Sequence, residues 1–431
     1  MNNQLPDEWS SSIFANLFDI AIGGTPSRNE PLYWDASRTS GNNWVSIKDL
    51  KGKTILDTAE QITDLGIKKS NVKLVPKGTI MMSFKLSVGR VAFAGKNLYT
   101  NEAIAAFIPK DKMSIDLRYF YQGLQFWDLL GDIDQAVKGV TLNKEKIRNI
   151  EAILPPFPEQ QKIAAILTSV DDVIEKTQAQ INKLKDLKTG MMQELLTCGV
   201  GVDGKPHTEF KDSPVGRIPK GWDCVELDTL KHPSKYSCVG GPFGSDLTAK
   251  HYIDTAGVPV IRGTNIPLNF ERFKEDNFVY VTEEKADLLV KNMAYQGDLV
   301  FTQRGTMGQV GLIPLDSKFK RYVVSQSQMK LTVNETIVSS EFLYQFFLSN
   351  NFMKQLELET IATGLPHINL GILKAFKVPI PSLSEQNEIV DILTSIDKRC
   401  LFFISKLNKL KDLKKALMQD LLTGKVRVNV D

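Results

Sequence analysis

The sequence predicts an α+β protein made of two copies of one unit, an α/β globular domain followed by a long helix. Three observations predict this fold class. The hexapeptide KLKDLK occurs at 183–188 and again at 409–414, 226 positions apart. Apolar residues at heptad spacing surround both copies, and weaker matches link the segments that precede them. A repeat this long indicates one large unit used twice rather than a solenoid, whose repeats span about 20–50 residues.

Composition limits the class of protein. The 431 residues predict two or more domains, with 42% hydrophobic and 24% charged residues. A net charge of +3 is weaker than the basic balance of a lone DNA-binding domain, so partners are expected to share any nucleic-acid binding. No apolar run could span a bilayer and no signal peptide is evident, which predicts a cytoplasmic protein with no membrane partner. The scattered cysteines and histidines predict neither a metal site nor disulfides: Cys198, Cys224, Cys238, Cys400, His207, His232, His251 and His367.

Two long helices are predicted, at 155–198 and 381–424. Each follows a proline-rich segment, LPPFPEQQ at 154–161 and VPIPSLSEQ at 378–386, because proline cannot continue a helix backwards. Apolar residues then recur every seven positions, which is the pattern of a coiled coil. We predict that the helix seam and a partner interface include Ile163, Val170, Ile174, Leu184, Ile389, Ile396, Phe403 and Leu410.

Lys188 and Lys414 fall in these otherwise apolar columns, where a purely structural coiled coil would prefer leucine. The sequence leaves open whether they set the helix register or contact a partner. A third apolar column, which includes Leu187 and Leu413, widens the apolar stripe. A wide stripe indicates either cover from the globular domains or an external helical partner.

The linker at 199–216 predicts an antiparallel helix pair. A parallel pair would need its about 18 residues, at about 3.3 Å each, to run almost fully extended along a helix of about 58 Å. An antiparallel pair needs only a short connection and places the domains at opposite ends of a rod. The predicted order is globular domain 1–154, helix 155–198, linker 199–216, globular domain 217–380, helix 381–424 and tail 425–431.

The globular domains repeat more weakly than the helices. GTIMMSFKLSVGRVAFA at 78–94 matches GDLVFTQRGTMGQVGLI at 297–313, and each predicts two strands around a glycine-containing turn. GVTLNKEKI at 139–147 resembles GLPHINLGI at 364–372. Dimeric DNA-binding proteins match the two-fold character of the duplex. Two like domains on a fixed spacer therefore indicate a reader of double-stranded DNA whose two half-sites differ.

Loop residues in both domains carry groups suited to DNA. Arg, Gln and Asn can contact base edges, while Ser, Thr and glycine amides suit phosphates. The predicted DNA-binding residues are Thr25, Ser27, Arg28, Lys48, Lys85, Ser87, Arg90, Lys250, Arg262, Thr264, Asn265, Gln303, Arg304, Thr306 and Gln309. Pairs that match between the domains, such as Lys85 and Arg304, are expected to contact the DNA backbone or serve the scaffold. Unmatched residues, such as Gln303, Gln309 and Arg90, are expected to read bases.

The sequence carries no convincing catalytic motif. LPPF at 154–157 departs from the Asn/Asp-Pro-Pro-aromatic motif of amino-methyltransferases at its first position, and no GxxxxGK[ST] or strand-linked GxGxxG occurs. Glu283 and Lys285 fit part of a nuclease pattern that is common by chance. We therefore expect a DNA reader without catalytic residues or a bound cofactor, to which partner subunits supply the chemistry.

The segments LPPFPEQQKIAAIL, IPSLSEQNEIVDIL, GGTPS, GPFGS and FTQRGTMGQVG, with the KLKDLK helix ends, give the whole chain a specific signature. With them it resembles the specificity subunits of type I restriction-modification systems. The resemblance implies two target-recognition domains that read the halves of a split DNA site, and a helix pair that fixes their spacing.

The same resemblance implies partners and their cofactors. Two modification subunits would bind around the helices and methylate adenine with S-adenosylmethionine. Motor-nuclease (restriction) subunits that use ATP and magnesium can join them. Two alternatives stay open: a methylation-only system, and a scaffold whose repeated domains bind protein.

Overall fold

The computed structural model describes residues 5–130, 142–201, 204–254, 257–268, 270–306, 308–363 and 367–430. It divides into two compact units, residues up to 176 with those from 407 onward, and residues 177–406. Each unit therefore holds one globular domain and part of each long helix. The repeat segments at 139–147 and 364–372 lie partly outside the described residues, and Met307 lies outside them.

The first unit contains two sheets and a separate strand pair. Its strands are β1 Ser10–Ile13, β2 Phe18–Ile22, β3 Asn42–Val45, β4 Thr54–Ile55, β5 Glu60–Ile62, β6 Leu74–Val75, β7 Ile80–Ser83, β8 Val91–Ala94, β9 Leu98–Thr100, β10 Ile104–Pro109 and β11 Glu151–Leu154. Its short helices are α1 Phe14–Leu17, α2 Asp64–Lys68, α3 Leu117–Leu124 and α4 Lys144–Arg148. The sheet orders are β2-β10-β7-β8-β4 and β5-β3-β9-β6, and β1 pairs with β11.

The second unit also contains two sheets, with two strand pairs. After helix α5 Phe157–Cys198, its strands are β12 Phe210–Ser213, β13 Gly216–Pro219, β14 Asp223–Glu226, β15 Cys238–Gly240, β16 Val258–Ile261, β17 Val279–Val281, β18 Met293–Tyr295, β19 Leu299–Thr302, β20 Val310–Leu312, β21 Arg321–Val324, β22 Gln328–Leu331 and β23 Lys377–Ile380. Its helices are α6 Glu283–Leu288, α7 Ser340–Phe347, α8 Asn350–Thr363, α9 Leu370–Ala375 and the start of α10 Leu383–Leu421. The sheet orders are β15-β22-β19-β20 and β17-β16-β21-β18, with pairs β12–β13 and β14–β23.

The two units share one topology, which confirms the predicted repeat. β3 pairs in parallel with β9, and β16 pairs in parallel with β21, each between two antiparallel neighbours. The segments 78–94 and 297–313 form the predicted strand pairs, β7–β8 and β19–β20. Gly78 and Gly297 precede them with the same φ of 86°, a left-handed conformation that glycine adopts readily. The hairpin β12–β13 distinguishes the second unit and begins inside the predicted linker.

Helix α10 begins after its prolines, as predicted, whereas α5 begins at Phe157 and carries Pro158 in its first turn, where proline is tolerated. Within the second unit, Leu184 of α5 clusters with Cys400 of α10, and Leu195 of α5 clusters with Ile389 of α10. A later residue of α5 therefore meets an earlier residue of α10. The first unit has the same relation. The helices therefore run antiparallel, as the length of the linker predicted.

The predicted seam residues are buried to different degrees. The buried ones are Ile163, Leu184, Ile389 and Ile396. The partly buried ones are Val170, Ile174, Phe403 and Leu410. In the third column, Leu187 and Leu413 are both 49% exposed. The globular domains therefore leave part of this column open in each unit.

Lys188 and Lys414 each pair with a carboxylate of the opposite long helix. Lys188 Nζ lies 2.6 Å from Asp397 Oδ1, and Lys414 Nζ lies 2.8 Å from Asp171 Oδ1. The two lysines are 226 positions apart, and so are the two aspartates, so the pairs are counterparts in the repeat. A heptad shift would leave these enclosed charges without partners, which is costly. The lysines therefore hold the helix register, which answers the question their positions raised.

A glutamine from the globular domain completes each of these junctions. Gln122 Nε2 on α3 donates to Asp171 Oδ2 at 2.7 Å, and Gln345 Nε2 on α7 donates to Asp397 Oδ2 at 3.3 Å. Both glutamines are fully buried. One carboxylate in each unit therefore ties the two long helices to the domain beside them.

The first turn of α5 is tied to both ends of the described chain. Glu159 accepts hydrogen bonds from Trp9 Nε1 at 3.0 Å and from Arg427 at 2.8 and 2.9 Å. Glu159 is buried, with 2% of its side chain exposed. The predicted tail thus joins the N-terminal segment at the start of the first long helix.

The first turn of α10 is held in the same way by the predicted linker. Glu385 accepts from Trp222 Nε1 at 2.9 Å and from the backbone amide of Gly201 at 3.2 Å, and it pairs with His207 at 2.9 Å. Burial alone would raise the pKa of Glu385, but these hydrogen bonds outweigh it and lower the pKa. The segment predicted as a linker therefore contributes residues to the packed start of the second long helix.

Within the described residues, no helix is both long and apolar enough to cross a membrane. The same residues contain no cluster of three or more His, Cys, Asp or Glu side chains that could hold a metal ion.

Replacing Lys188 with alanine should lower the free energy of unfolding by about 3–5 kcal/mol, because Asp397 would stay buried without its cation. Lys414→Ala should cost less, because its pair is more exposed, 16% and 19% against 10% and 6% of the side chains. Chemical denaturation at neutral pH measures both. Equal and small losses would contradict the assignment of these pairs as register contacts.

Candidate nucleic-acid interface

Four loops of the second unit converge on an open cavity of about 780 Å³. They follow strands β15, β16, β19 and β21. Five predicted DNA-binding residues line the cavity: Arg262, Thr264, Arg304, Thr306 and Gln309. The other lining residues are mostly small or carry hydroxyl and amide groups: Gly244, Leu247, Thr248, Ala249, Tyr252, Gly263, Thr302, Gly305, Ser325, Gln326, Ser327 and Gln328. None of these residues is acidic, so the cavity combines positive charge with many hydrogen-bonding groups.

Two arginines give this cavity its charge. Neither Arg262 nor Arg304 pairs with a carboxylate in the described part of the chain. Arg262 donates from Nη2 to the carbonyl of Asn277 at 2.9 Å, while its buried Nε has no described hydrogen-bond partner. Arg304 is exposed, as are Thr264 and Thr306. Guanidinium groups that pair with no described carboxylate, and exposed hydroxyl groups, at one concave site suit phosphate oxygens and base edges.

The side-chain amides of Asn265 and Gln309 are both used within the loops. Asn265 is fully buried, caps the turn by accepting from the Arg262 amide at 3.0 Å, and donates to two backbone carbonyls. Gln309 donates to the carbonyls of Gly263 and Ile266 and accepts from Thr302 Oγ1 at 2.9 Å. In this conformation these polar groups are engaged within the chain, which favours a scaffold role for both residues. Their predicted roles in DNA binding stay predictions.

The loop after β15 adds a residue that was not predicted. Phe243, within GPFGS, is 91% exposed beside the cavity-lining Gly244. Gln326 Nε2 holds this loop by donating to the carbonyls of Gly244 at 2.6 Å and Leu247 at 2.7 Å. An aromatic residue between a proline and a glycine was the sequence signal for an exposed contact. The predicted Lys250 is exposed on the same loop but does not line the cavity.

Gln303 is placed by its backbone rather than by its side chain. Its amide donates to the carbonyl of Ser327 at 2.7 Å, and its carbonyl accepts from the Ile368 amide at 3.2 Å. The side chain is only partly exposed and does not line the cavity. Its predicted base-reading role stays a prediction.

In the first unit, Arg28 and Lys48 meet on a single carboxylate. Arg28 forms a two-point ion pair with Glu60, and Lys48 Nζ lies 3.2 Å from Glu60 Oε2. The Arg28 guanidinium also lies over the Trp34 ring, 3.8 Å from its centre. The hydrogen bond from Arg28 is the main cause that lowers the pKa of Glu60, against the opposing effect of burial. Unlike Arg262 and Arg304, these cations have an acidic partner.

The remaining predicted residues of the first unit lie on two loops. Thr25 donates to Glu102, and the Ser27 carbonyl accepts from Trp34 Nε1 at 3.1 Å. The turn at 84–90 carries the others: Lys85, Ser87 and Arg90. Arg90 is exposed, Lys85 and Ser87 are partly buried, and Leu86 at the tip is 78% exposed with a φ of 64°. Arg28 lines a cavity of about 460 Å³ that none of these three residues joins.

Comparisons with known proteins match this architecture. The family model described as the type I restriction modification DNA specificity domain matches residues 6–186 and 252–415. The chain is 26% identical to the type I restriction enzyme MjaVIII specificity subunit of Methanocaldococcus jannaschii, over 82% of this chain and 80% of that protein.

Two solved structures share the fold. The S subunit of a type I restriction-modification system from M. genitalium aligns with a TM-score of 0.60 and 14% identity, over 98% of this chain and 97% of that one. A chain from a study of complex assembly and conformational transition of the type I R-M system aligns with a TM-score of 0.56 and 14% identity, over 98% and 100%.

Asn265→Ala tests the division between scaffold and contact residues. We expect it to lower the free energy of unfolding by about 1–3 kcal/mol, because it removes the turn cap and leaves two carbonyls without a donor. The control Thr264→Ala, at the exposed neighbouring position, should change it by less than about 0.5 kcal/mol. Denaturant titrations of both variants measure the difference. Equal effects of the two substitutions on the free energy of unfolding would indicate that Asn265 is a contact residue rather than a scaffold residue.

Proposed function

The chain belongs to the type I restriction modification DNA specificity family, and from that membership we propose that each of its globular domains reads one half of a bipartite DNA target. It is a specificity subunit rather than a catalytic one. The single observation that carries the proposal is the repeated topology, which gives two related loop clusters with different side chains.

The cavity of the second unit is the proposed reading site for one half. Among the described residues, its arginines have no acidic partner, so phosphates or guanine edges can bind both without displacing a described carboxylate. Although its match with Lys85 in the repeat favoured a backbone or scaffold role, the exposed, cavity-lining Arg304 is now the strongest candidate for a base contact, since an arginine can bind guanine O6 and N7 together. The hydroxyls of Thr264 and Thr306 suit the backbone. Phe243 supplies an apolar face for a base or a thymine methyl group.

The other half is assigned to the loops of the first unit. Arg28 is held by Glu60 and Trp34, which limits its rotamers before DNA arrives and reduces the entropy lost on binding. Lys48 and Lys85 would supply charge to the DNA backbone, with Thr25 and Ser27 beside Arg28, and the exposed Arg90 would read bases. The two domains would then read different bases, because the side chains at equivalent loops differ.

The helix pair is proposed to fix the spacer and to dock two methyltransferase subunits. Leu187 and Leu413 are counterparts in the repeat and are equally exposed, one in each unit. Two equivalent apolar positions suit two copies of one partner. The partners would supply S-adenosylmethionine-dependent adenine methylation, and restriction subunits with ATP and magnesium would supply cleavage. Such a complex acts on genomic DNA, which places it in the cytoplasm.

A methylation-only system would use the same reader without restriction subunits. The exposure of Leu187 and Leu413 concerns the docking of methyltransferase subunits, so it does not distinguish a methylation-only system from one that also restricts. An assay of cells for restriction of incoming DNA distinguishes them. A protein-binding scaffold would instead show no salt-dependent DNA affinity once the complex is assembled.

Arg304→Ala and Arg28→Ala should act on opposite halves of the target. In the assembled methyltransferase complex, each substitution is expected to weaken binding by about 10–100-fold and to relax base preference in one half only. Competition binding with duplexes randomised in one half at a time measures this. Loss of preference in both halves from either substitution would contradict the assignment of one domain to one half.

A further inference from the structure

Lys53 and Arg272 occupy equivalent places in the two recognition domains. They are 219 positions apart, the same offset as Gly78 and Gly297. Their backbones make the same contact, since the Lys53 carbonyl accepts from the Phe93 amide at 2.8 Å and the Arg272 carbonyl accepts from the Leu312 amide at 3.1 Å. The amide donors are also 219 positions apart. The two basic residues are therefore structural counterparts.

Both side chains reach from the recognition domain to a long helix of their own unit. Arg272 Nη2 donates to Thr394 Oγ1 of α10 at 2.9 Å. Lys53 Nζ lies 3.5 Å from Asp172 Oδ1 of α5. Thr168 is the repeat counterpart of Thr394, and Asp172 lies four residues after it, so both contacts fall on the same helix face one turn apart.

The acidic partner of the basic residue lies on a different element in each unit, although both basic residues contact a long helix. In the second unit Arg272 also pairs with Glu341 of α7, and the counterpart of Asp172 is the cation Lys398. In the first unit, Arg118 occupies the position of Glu341, by the same offset that relates Gln122 to Gln345. The acidic partner there is Asp172, which lies on the long helix α5. A basic residue that meets the helix in both units, despite exchanged charges around it, points to a role for the contact itself.

The second unit reinforces this contact with an insertion. Asp49 and Asn265 cap equivalent turns in the two domains. The segment from Asn265 to Arg272 is three residues longer than the equivalent segment from Asp49 to Lys53. The inserted stretch carries Phe270, whose ring centre lies 5.4 Å from Lys188 Nζ on α5. This stretch begins beside the cavity-lining Arg262. The loop that lines the proposed reading site is therefore fastened to both long helices.

We infer that Lys53 and Arg272 are positioning residues that brace each recognition domain against the helix pair and thereby set how strictly the spacer between half-sites is enforced. The inference rests on the proposed function. The contact of Arg272 with α10 is shorter than that of Lys53 with α5, 2.9 Å against 3.5 Å, and the Arg272 side chain is less exposed than that of Lys53, 23% against 31%. Arg272 therefore enforces the spacing more strongly than Lys53.

The test measures spacer preference in the assembled methyltransferase complex. Duplexes carry both half-sites with the native spacer, or with one base pair added or removed, and initial methylation rates are compared. Arg272→Ala should reduce the ratio of native to altered-spacer rates by about fivefold or more, the low end of typical coupling between sites. Arg321→Ala is the matched control, because it removes an arginine ion pair of the same unit that contacts α6 rather than a long helix.

A charge exchange gives the corresponding test in the first unit. Lys53→Asp should relax the spacer preference, and the double substitution Lys53→Asp with Asp172→Lys should restore it. A brace changes the ratio between spacers, whereas general destabilisation lowers all rates together. An unchanged ratio in Arg272→Ala, or a uniform loss at every spacer, would overturn the inference. If the unaltered complex itself does not distinguish half-sites or spacers, the proposed function fails instead.

Discussion

The fold depends on one enclosed carboxylate in each unit, the partly buried Asp171 and the buried Asp397. Each accepts a lysine from the opposite long helix and a glutamine from the neighbouring domain. A heptad seam alone permits slippage by whole heptads, because apolar contacts are not directional. A paired charge in a largely enclosed site permits only the register in which its partners meet it. The same junction also orients each domain on the helices, so register and domain placement are set together.

Two junctions of one design carry recognition surfaces of different chemistry. In the second unit, the cavity arginines have no acidic partner among the described residues, whereas in the first unit Arg28 and Lys48 pair with Glu60. A constant scaffold with variable loops allows each half of a DNA target to change independently. The exchanged charges around Lys53 and Arg272 follow the same division, because the contact to the helix is kept while its partners vary.

Local periodicity made the helices and the repeat predictable from sequence, since proline-rich starts and heptads need no knowledge of distant residues. Contacts across the repeat were beyond that reasoning. The pattern showed that Lys188 breaks an apolar column, but its partner Asp397 is far away in sequence. The partners of the loop side chains were beyond that reasoning as well. Asn265 and Gln309 were chosen for their amides, yet the closure of the turn uses those amides. Residue type shows what a side chain can bind, and only the fold shows what it already binds.

The most direct test of the central claim, that two unlike domains read two halves of one site, is single-molecule methylome sequencing of cells with and without this gene. The account predicts the loss of one split motif, with unequal halves, a fixed spacer and adenine methylation in both. Loss of a continuous or palindromic motif would contradict the two-reader account. Unchanged methylation, in cells whose partner subunits are expressed and active, would contradict DNA reading itself.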